Sequence, residues 1–534
     1  MPIAAAIAAF FSTSSAFAQQ VTYSGDVTPN PDTTPVSSWT SSTFPYIGTT
    51  SNGTLTIGGG LVTPNIGQLF LGNNAGVTGT LNLTDTGTVW NEYNAVTVGN
   101  GGTGVINVMN GATYSGGGVL VLGQGATSSG SIFISGPGST LTQSGNLRIG
   151  GNAVSGTGLV SITNGGTLNE GAYNIAVGEG ASSTGALLID GAGSSMTIQS
   201  ALLVGGAGSA NGTVLLTNGA ALNTKAGTLA GAIIGYATNA TAQVTVNGSG
   251  TKWTDAGTFD VGYTGTNKVG SLSVTNGGAV SGTVLNVYSG SLLTVDTDSS
   301  FSVNSGTGAL TNNGTIRLVA GAGATAGTYT PITAGSWAGT GTVQALGGEW
   351  NATNHTDTVV AASTTAAGVS DTIDASLTQR ILVTSLSDGA EVGAGFLGAS
   401  TSTSITFGAT EIGGAELSAL QSNFTGTEAA QSVLSGWDFT SSGFSSGSPV
   451  YLSFNVGSGF NYNQFQVWQF NGTTWGLYTP TDLAYSNGFV SFTANNLDSY
   501  AVTSAVPVPG AAWLFGSVVA GFGLLGRRKA VVAG

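Results

Sequence analysis

The chain has 534 residues, and only 9 Lys and Arg with 23 Asp and Glu carry charge, 6% against roughly 25% in an ordinary soluble domain. With no cysteine and one histidine, disulfides, thiolate metal sites, a cysteine nucleophile and a histidine-rich metal centre are excluded, and a Ser-His-Asp triad has almost no material. A net charge of −14, with six basic residues in the first 526 positions, excludes a nucleic-acid groove, while 40% apolar content beside 89 glycines still allows a buried core.

Met1–Ala18 reads as a secretory signal peptide. An apolar run over Ile3–Phe11 is followed by a short Ser/Thr stretch, and Ala16 and Ala18 supply the small residues expected at a cleavage site before Gln19. No Lys or Arg precedes Arg148, so the usual basic leader is missing; a mis-assigned start codon would account for that.

From residue 19 to about 350 the chain repeats. A short apolar strand ending in glycine recurs at Gly72, Gly99, Gly123, Gly150, Gly178, Gly205, Gly235 and Gly262, in steps of 27, 24, 27, 28, 27, 30 and 27 residues. Each step holds a second, alternating strand, such as Val105-Ile106-Asn107-Val108, and a third after a turn. The turns alternate between Asn-Gly (Asn110, Asn164, Asn218, Asn276) and a Gly-x-Gly-Ser type (Gly138-Ser139, Gly193-Ser194, Gly250-Thr251), which gives a super-period near 54 residues. The step is too short for a propeller blade of ~40 residues and carries no helical period. Three strands of four or five residues per step, each pairing with its equivalent in the next step, predict a parallel β-helix rising about 4.8 Å per coil around an aliphatic interior. The stretch Gly156–Leu168, GTGLVSITNGGTL, resembles the repeats of autotransporter passengers and related surface adhesins. That resemblance implies the same solenoid, but an autotransporter's C-terminal barrel of alternating ~10-residue strands is not present here, so the export route must differ.

Beyond Val359 the repeat stops. Phe465–Phe470, Asn471-Gly472 and Thr473–Tyr478 form a hairpin pattern, and Asp482–Ser486, Asn487-Gly488 and Phe489–Ala494 form a second. With the strand-like segments at Ser404–Phe407 and Val450–Phe454, residues 359–505 predict an antiparallel β-sandwich that closes the solenoid on its membrane side. The fold class expected is therefore all-β: a parallel β-helix (solenoid), a sandwich, and a C-terminal hydrophobic helix.

That helix is residues 510–526, seventeen positions without charge followed by Arg527-Arg528-Lys529. At about 25 Å it is a marginal transmembrane anchor, and the basic triplet would stay cytoplasmic, leaving everything before it outside. Val506-Pro507-Val508-Pro509-Gly510, then Ala511-Ala512-Trp513-Leu514-Phe515-Gly516-Ser517 and the basic triplet, resemble the PEP-CTERM sorting signal of Gram-negative bacteria, with Val508 where the namesake motif has Glu. The resemblance spans 506–530. It implies transient anchoring in the inner membrane, recognition and cleavage by an exosortase near the proline motif, and release or attachment at the cell surface. Loss of the tail would leave six basic residues against 23 acidic ones, a charge of −17.

The candidate sites are few. Trp437, Trp468 and Trp475 could stack on sugar rings as a flat platform, or fill the sandwich core, the commoner role of such residues. Asp296 and Asp298, two apart on a strand, could point two carboxylates at a Ca²⁺ ion or be solvated charges. The recurrent Asn110, Asn164, Asn218 and Asn276 read as stacked corner turns rather than a ligand ladder, and His355 as a linker residue. A β-helix lyase or hydrolase needs clustered base, carboxylates or Ca²⁺ ligands. Here Arg148, Lys225, Lys252 and Lys268 lie in different repeats, as do Asp85, Asp190, Glu170 and Glu179; only Asp255 and Asp260 are close. The expected function is thus a non-catalytic exported surface or matrix protein without a cofactor. Its partners would be exopolysaccharide or neighbouring cells, with the exosortase and inner membrane met in transit and no nucleic acid. The alternatives are a carbohydrate-binding surface protein using the sandwich tryptophans, or a polysaccharide lyase or hydrolase.

Overall fold

The computed structural model describes residues 20–151, 156–225, 231–424 and 431–505. The signal peptide with Ala16 and Ala18, and the sorting signal over 506–530 with its apolar segment 510–526, lie outside the described residues.

The first two-thirds of the chain is a parallel β-solenoid of about eleven turns, and the described residues are all-β apart from 3% helix. Three sheets run along it, of 13, 11 and 13 strands. A middle coil shows how the sequence makes them. Thr103–Met109, Thr113–Gly116 and Leu120–Leu122 are its three strands, seven, four and three residues long rather than the equal lengths expected from spacing. The inequality follows from the turns: between Gly99 and the Asn110-Gly111 corner there is room for one long strand, whereas the stretch from that corner to Gly123 holds two short ones. Thr103–Met109 pairs in parallel with Ser129–Ser135 of the next coil, residue for residue, so each side chain stacks on its equivalent. One inward column of the long sheet is Leu81, Ile106, Ile132, Val160, Leu187, Val214, Val244, Leu272, Leu293 and Ile316, each at most 1% exposed. An isolated coil could not bury such a column; stacking buries it on every side.

The glycine that ends the short strand is a conformational requirement. Gly99 has φ +76°, and a Cβ there would lie 2.1 Å from the carbonyl oxygen of Ser129 in the next coil. The super-period also has a physical cause. Asn164 adopts φ +53°, and the Gly165 N–H that follows donates 3.0 Å to the buried Ser194 hydroxyl of the next coil's Gly-x-Gly-Ser turn. The same bond joins Gly111 to Ser139 and Gly219 to Thr251, so the two turn types are partners across a coil boundary, and Gly277 makes the equivalent bond to Ser299 of an Asp-Thr-Asp-Ser turn. Asn110, Asn164 and Asn218 each also donate Nδ2 to the preceding coil, at Thr84, Ser135 and Asp190.

The N-terminal end of the solenoid leaves the parallel pattern, while the last strands of all three sheets keep it. Val21–Gly25 runs antiparallel to Gly53–Ile57, and the buried Trp39 packs edge-on to Trp90 at 6.3 Å. At the other end the last long strand is Thr342–Leu346, after which Gly348–Asn351, Thr356–Val359 and Gly327–Tyr329 form a small antiparallel sheet. At each end an aromatic ring, Trp39 at the first coils and Trp337 at the last, packs against the end of the core.

The remaining described chain forms two six-stranded sheets that share one buried cluster, with Val383, Val392, Leu452 and Phe492 from one and Phe407, Trp437, Phe439 and Val502 from the other. One pairing, Ser363–Ala366 with Arg380–Thr384, is parallel; the rest are antiparallel. This two-sheet unit does not cap the rod. It folds back along the outer face of the long sheet. Ser453 Oγ accepts the Ala322 N–H at 3.1 Å, Val319 and Leu346 bury against Tyr451, and Phe465, Leu477 and Tyr478 face Leu215, Gln243 and Thr245 across a small cavity. Arg380, 3% exposed, ties the junction by donating to the carbonyls of Gly321, Ala322 and Val360 at 2.6, 2.9 and 3.1 Å. The outward residues Ser271, Ser273 and Thr294 of the late coils are small enough for another sheet to cover, and the next residue in register, Arg317, is partly buried near Asp482 and Tyr478 of that unit.

Candidate functional site

The tryptophans read from sequence as a sugar platform do not form one. Trp437 is fully buried between the two sheets, its indole N–H bonded to Ser435 Oγ. Trp468 and Trp475, 4% and 6% exposed, lie in a separate cluster covered by Leu420 of the short helix Gly414–Gln421 and by Phe424. Strand alternation sends Val467 into one cluster and Trp468 into the other, so the three rings cannot line up on one surface. Asp296 ends the strand Leu292–Asp296 and accepts N–H bonds from Asn276 and Asp298, so its carboxylate closes a turn; Asp298 lies beyond the strand. Among the described residues no group of three or more His, Asp or Glu is placed to hold a metal ion.

The carboxylates the sequence shows as scattered are partly organised, but inward. At the end of each four-residue strand one inward position runs Glu92, Gly116, Gln143, Glu170, Ile198, Thr224 and Asp255 in register. Glu92, Glu170 and Asp255 are 4%, 2% and 3% exposed. Burial pushes their carboxyls up to about 9, 8 and 6. Both Glu170 oxygens and the Oε1 of its in-register neighbour Gln143 have no hydrogen-bond partner among the described residues, while Gln143 Nε2 donates to the Gly118 carbonyl. Gly116 makes room for Gln143, since a Cβ there would lie 2.1 Å from Oε1. Displaced carboxyl pKa values often mark active sites. Here they belong to side chains sealed inside the solenoid, where they act on stability. Only coil-to-coil register brings these residues into one column, and the varying step length hides that register in the sequence.

The outer surface gathers aromatic chemistry at the C-terminal end, at a place the sequence reading passed over. Trp337 occupies the last position of an inward column through Leu285 and Leu310, at the core's open end. His355, read from sequence as a linker residue, lies parallel to Trp337 with ring centroids 4.5 Å apart and planes 5° apart, and Trp350 packs 5.5 Å from Trp337. All three rings are half-buried. His355 holds φ +54°, the left-handed turn conformation that Asn110, Asn164 and Asn218 also adopt. Two open clefts flank the pair. One, of about 600 Å³, is bordered by Ser302, Ser305, Thr333 and Asn354; the other, of about 280 Å³, by Asn312 and Trp350. Neither is bordered by Asp, Glu, Lys or Arg. Beneath, Asp357 pairs opposite Trp350 and is fully buried with both oxygens unpartnered among the described residues; burial lifts its carboxyl to about 7. The signal that could have found the site is the return of Trp, Trp and His within nineteen residues at the point where the repeat fails.

No protein-family model, curated protein or solved structure matches the chain. Among the described residues no helix is long and apolar enough to cross a membrane.

Proposed function

We propose that the chain is a non-catalytic structural and adhesive protein of a Gram-negative cell surface or extracellular matrix, exported, sorted by an exosortase-type system and associated with exopolysaccharide. The observation that carries this reading is the solenoid's construction: about eleven turns stacked coil on coil around one continuous, largely aliphatic core, with aromatic rings packed at each end of it. Such a body is stiff, offers few open loops to proteases, and presents long uncharged Ser/Thr/Asn faces suited to a polymer-rich surface. The two-sheet unit, read as a β-sandwich, would stiffen the late coils and place its C-terminus, near Ala505, next to the sorting tail. With that tail removed the acidic body would be kept from non-specific contact with anionic lipid and nucleic acid.

The test is fractionation of a producing strain carrying a tag inserted after Gln20. In the parent the tagged chain should reach the outer surface or matrix with its tail removed. Deletion of 506–530, or loss of the exosortase, should redirect it to the periplasm or inner membrane. Identical surface delivery without the tail would overturn the sorting part of the reading, and accumulation in the cytoplasm of the parent would overturn the whole.

A further inference from the structure

We propose that the Trp337–His355 pair and its two flanking clefts form a binding site for a neutral polysaccharide segment. A saccharide ligand asks for an aromatic surface for the apolar face of a pyranose ring and side-chain hydroxyls and amides for its own hydroxyl groups. Both occur here together. The parallel Trp337 and His355 rings border both clefts. Around them Ser305, Thr333 and Asn354 are exposed and Ser302 half-buried, and none of these four side chains is hydrogen-bonded among the described residues. The larger cleft, about 600 Å³, lies in the range of small-ligand sites and is open enough for a chain to pass through rather than end in it.

Charge decides the class of sugar. Uronates and sulfated sugars need Arg or Lys to compensate their charge, and neither cleft is bordered by one. The protein's charge of −14 would repel such polymers over a Debye length as well. The assignment rests on the surface-protein reading for where the polymer is met. Whether the cleft binds is separable from it.

The purified full chain in detergent is titrated by calorimetry and tryptophan fluorescence with cellohexaose, mannohexaose, xylohexaose and maltohexaose, and in parallel with hexamers of alginate and polygalacturonate. Saturable binding of at least one neutral hexamer and none of the uronates is expected. Trp337→Ala should weaken it by about 30-fold, the loss typical of a central aromatic contact. Because Trp337 also covers the core, Asn354→Arg and His355→Gly provide variants at exposed or left-handed positions; both should weaken binding tenfold or more with the melting temperature held or, for His355→Gly, raised. Unchanged affinity in Asn354→Arg and His355→Gly, equal binding of uronates, or no binding by any neutral hexamer would each overturn the proposal. Sedimentation of the chain with native matrix, retained in both variants, would remove this site and leave the surface-protein reading standing.

Discussion

Glu170 gives the sharpest quantitative expectation. Its carboxyl is 2% exposed, has no hydrogen-bond partner among the described residues, and is pushed by burial from the ordinary 4.5 to about 8. In the unfolded chain the group loses its proton above about 4.5; in the folded coil it keeps it until about 8. The folded state binds the extra proton throughout that window, so this group's contribution is fully present below pH 4.5 and is lost as pH rises through 8. At 1.36 kcal/mol per pH unit the full displacement amounts to about 3 kcal/mol at pH 7, and about 2 kcal/mol once water at the coil's corner is allowed for. Glu170→Gln replaces the protonated acid with a neutral group of the same shape and removes the dependence. Hydrogen exchange followed by mass spectrometry is the appropriate assay, because coils of a solenoid open locally and a global unfolding energy would blur the effect. Peptides over 157–198, corrected for intrinsic rates, should exchange at similar rates in both proteins at pH 4.5. At pH 7 the variant should exchange about 30-fold more slowly. A difference that stays constant from pH 4.5 to 8, or a parent chain that gains protection relative to the variant as pH rises, would refute the burial argument.

Three further outcomes follow from the same geometry. Ser194→Ala strands the Gly165 N–H at a coil boundary and should cost about 1–3 kcal/mol in denaturant unfolding, while Ser194→Thr, which copies the natural Thr251 at the equivalent turn, should be nearly neutral. Ile162→Ala empties a fully buried rung and should cost about 2–5 kcal/mol, seen by hydrogen exchange as loss of protection concentrated in its own and the two adjacent coils. Arg380→Met leaves the carbonyls of Gly321, Ala322 and Val360 without their donor; a loss of about 3 kcal/mol should free the two-sheet unit from the rod, read as faster limited proteolysis near residue 360 and a larger radius of gyration in small-angle scattering.

The repeat is legible in the chain itself because every feature that makes a coil is local: an Asn-Gly corner, a glycine that must turn left-handed, and alternating Val, Ile and Leu. Those signals recur often enough to give the solenoid, its step and even the alternation of turn types, whose cause is the Gly165-to-Ser194 kind of bond. The hairpin at Asn487-Gly488 was equally legible, with both residues at positive φ and Ala484–Ser486 paired to Phe489–Ala494. Tertiary structure alone decided what depends on register or on the far side of a sheet. Glu92, Glu170 and Asp255 become one inward column only when coils of unequal length are aligned. Trp437 separates from Trp468 and Trp475 because neighbouring strand positions face opposite ways. The fold-back of the two-sheet unit depends on a match between two surfaces contributed by distant stretches of the chain. Trp337, Trp350 and His355 meet only where the last coil ends, since a solenoid's interior repeats indefinitely in sequence but must be closed once, in space, by whatever the chain brings back across it.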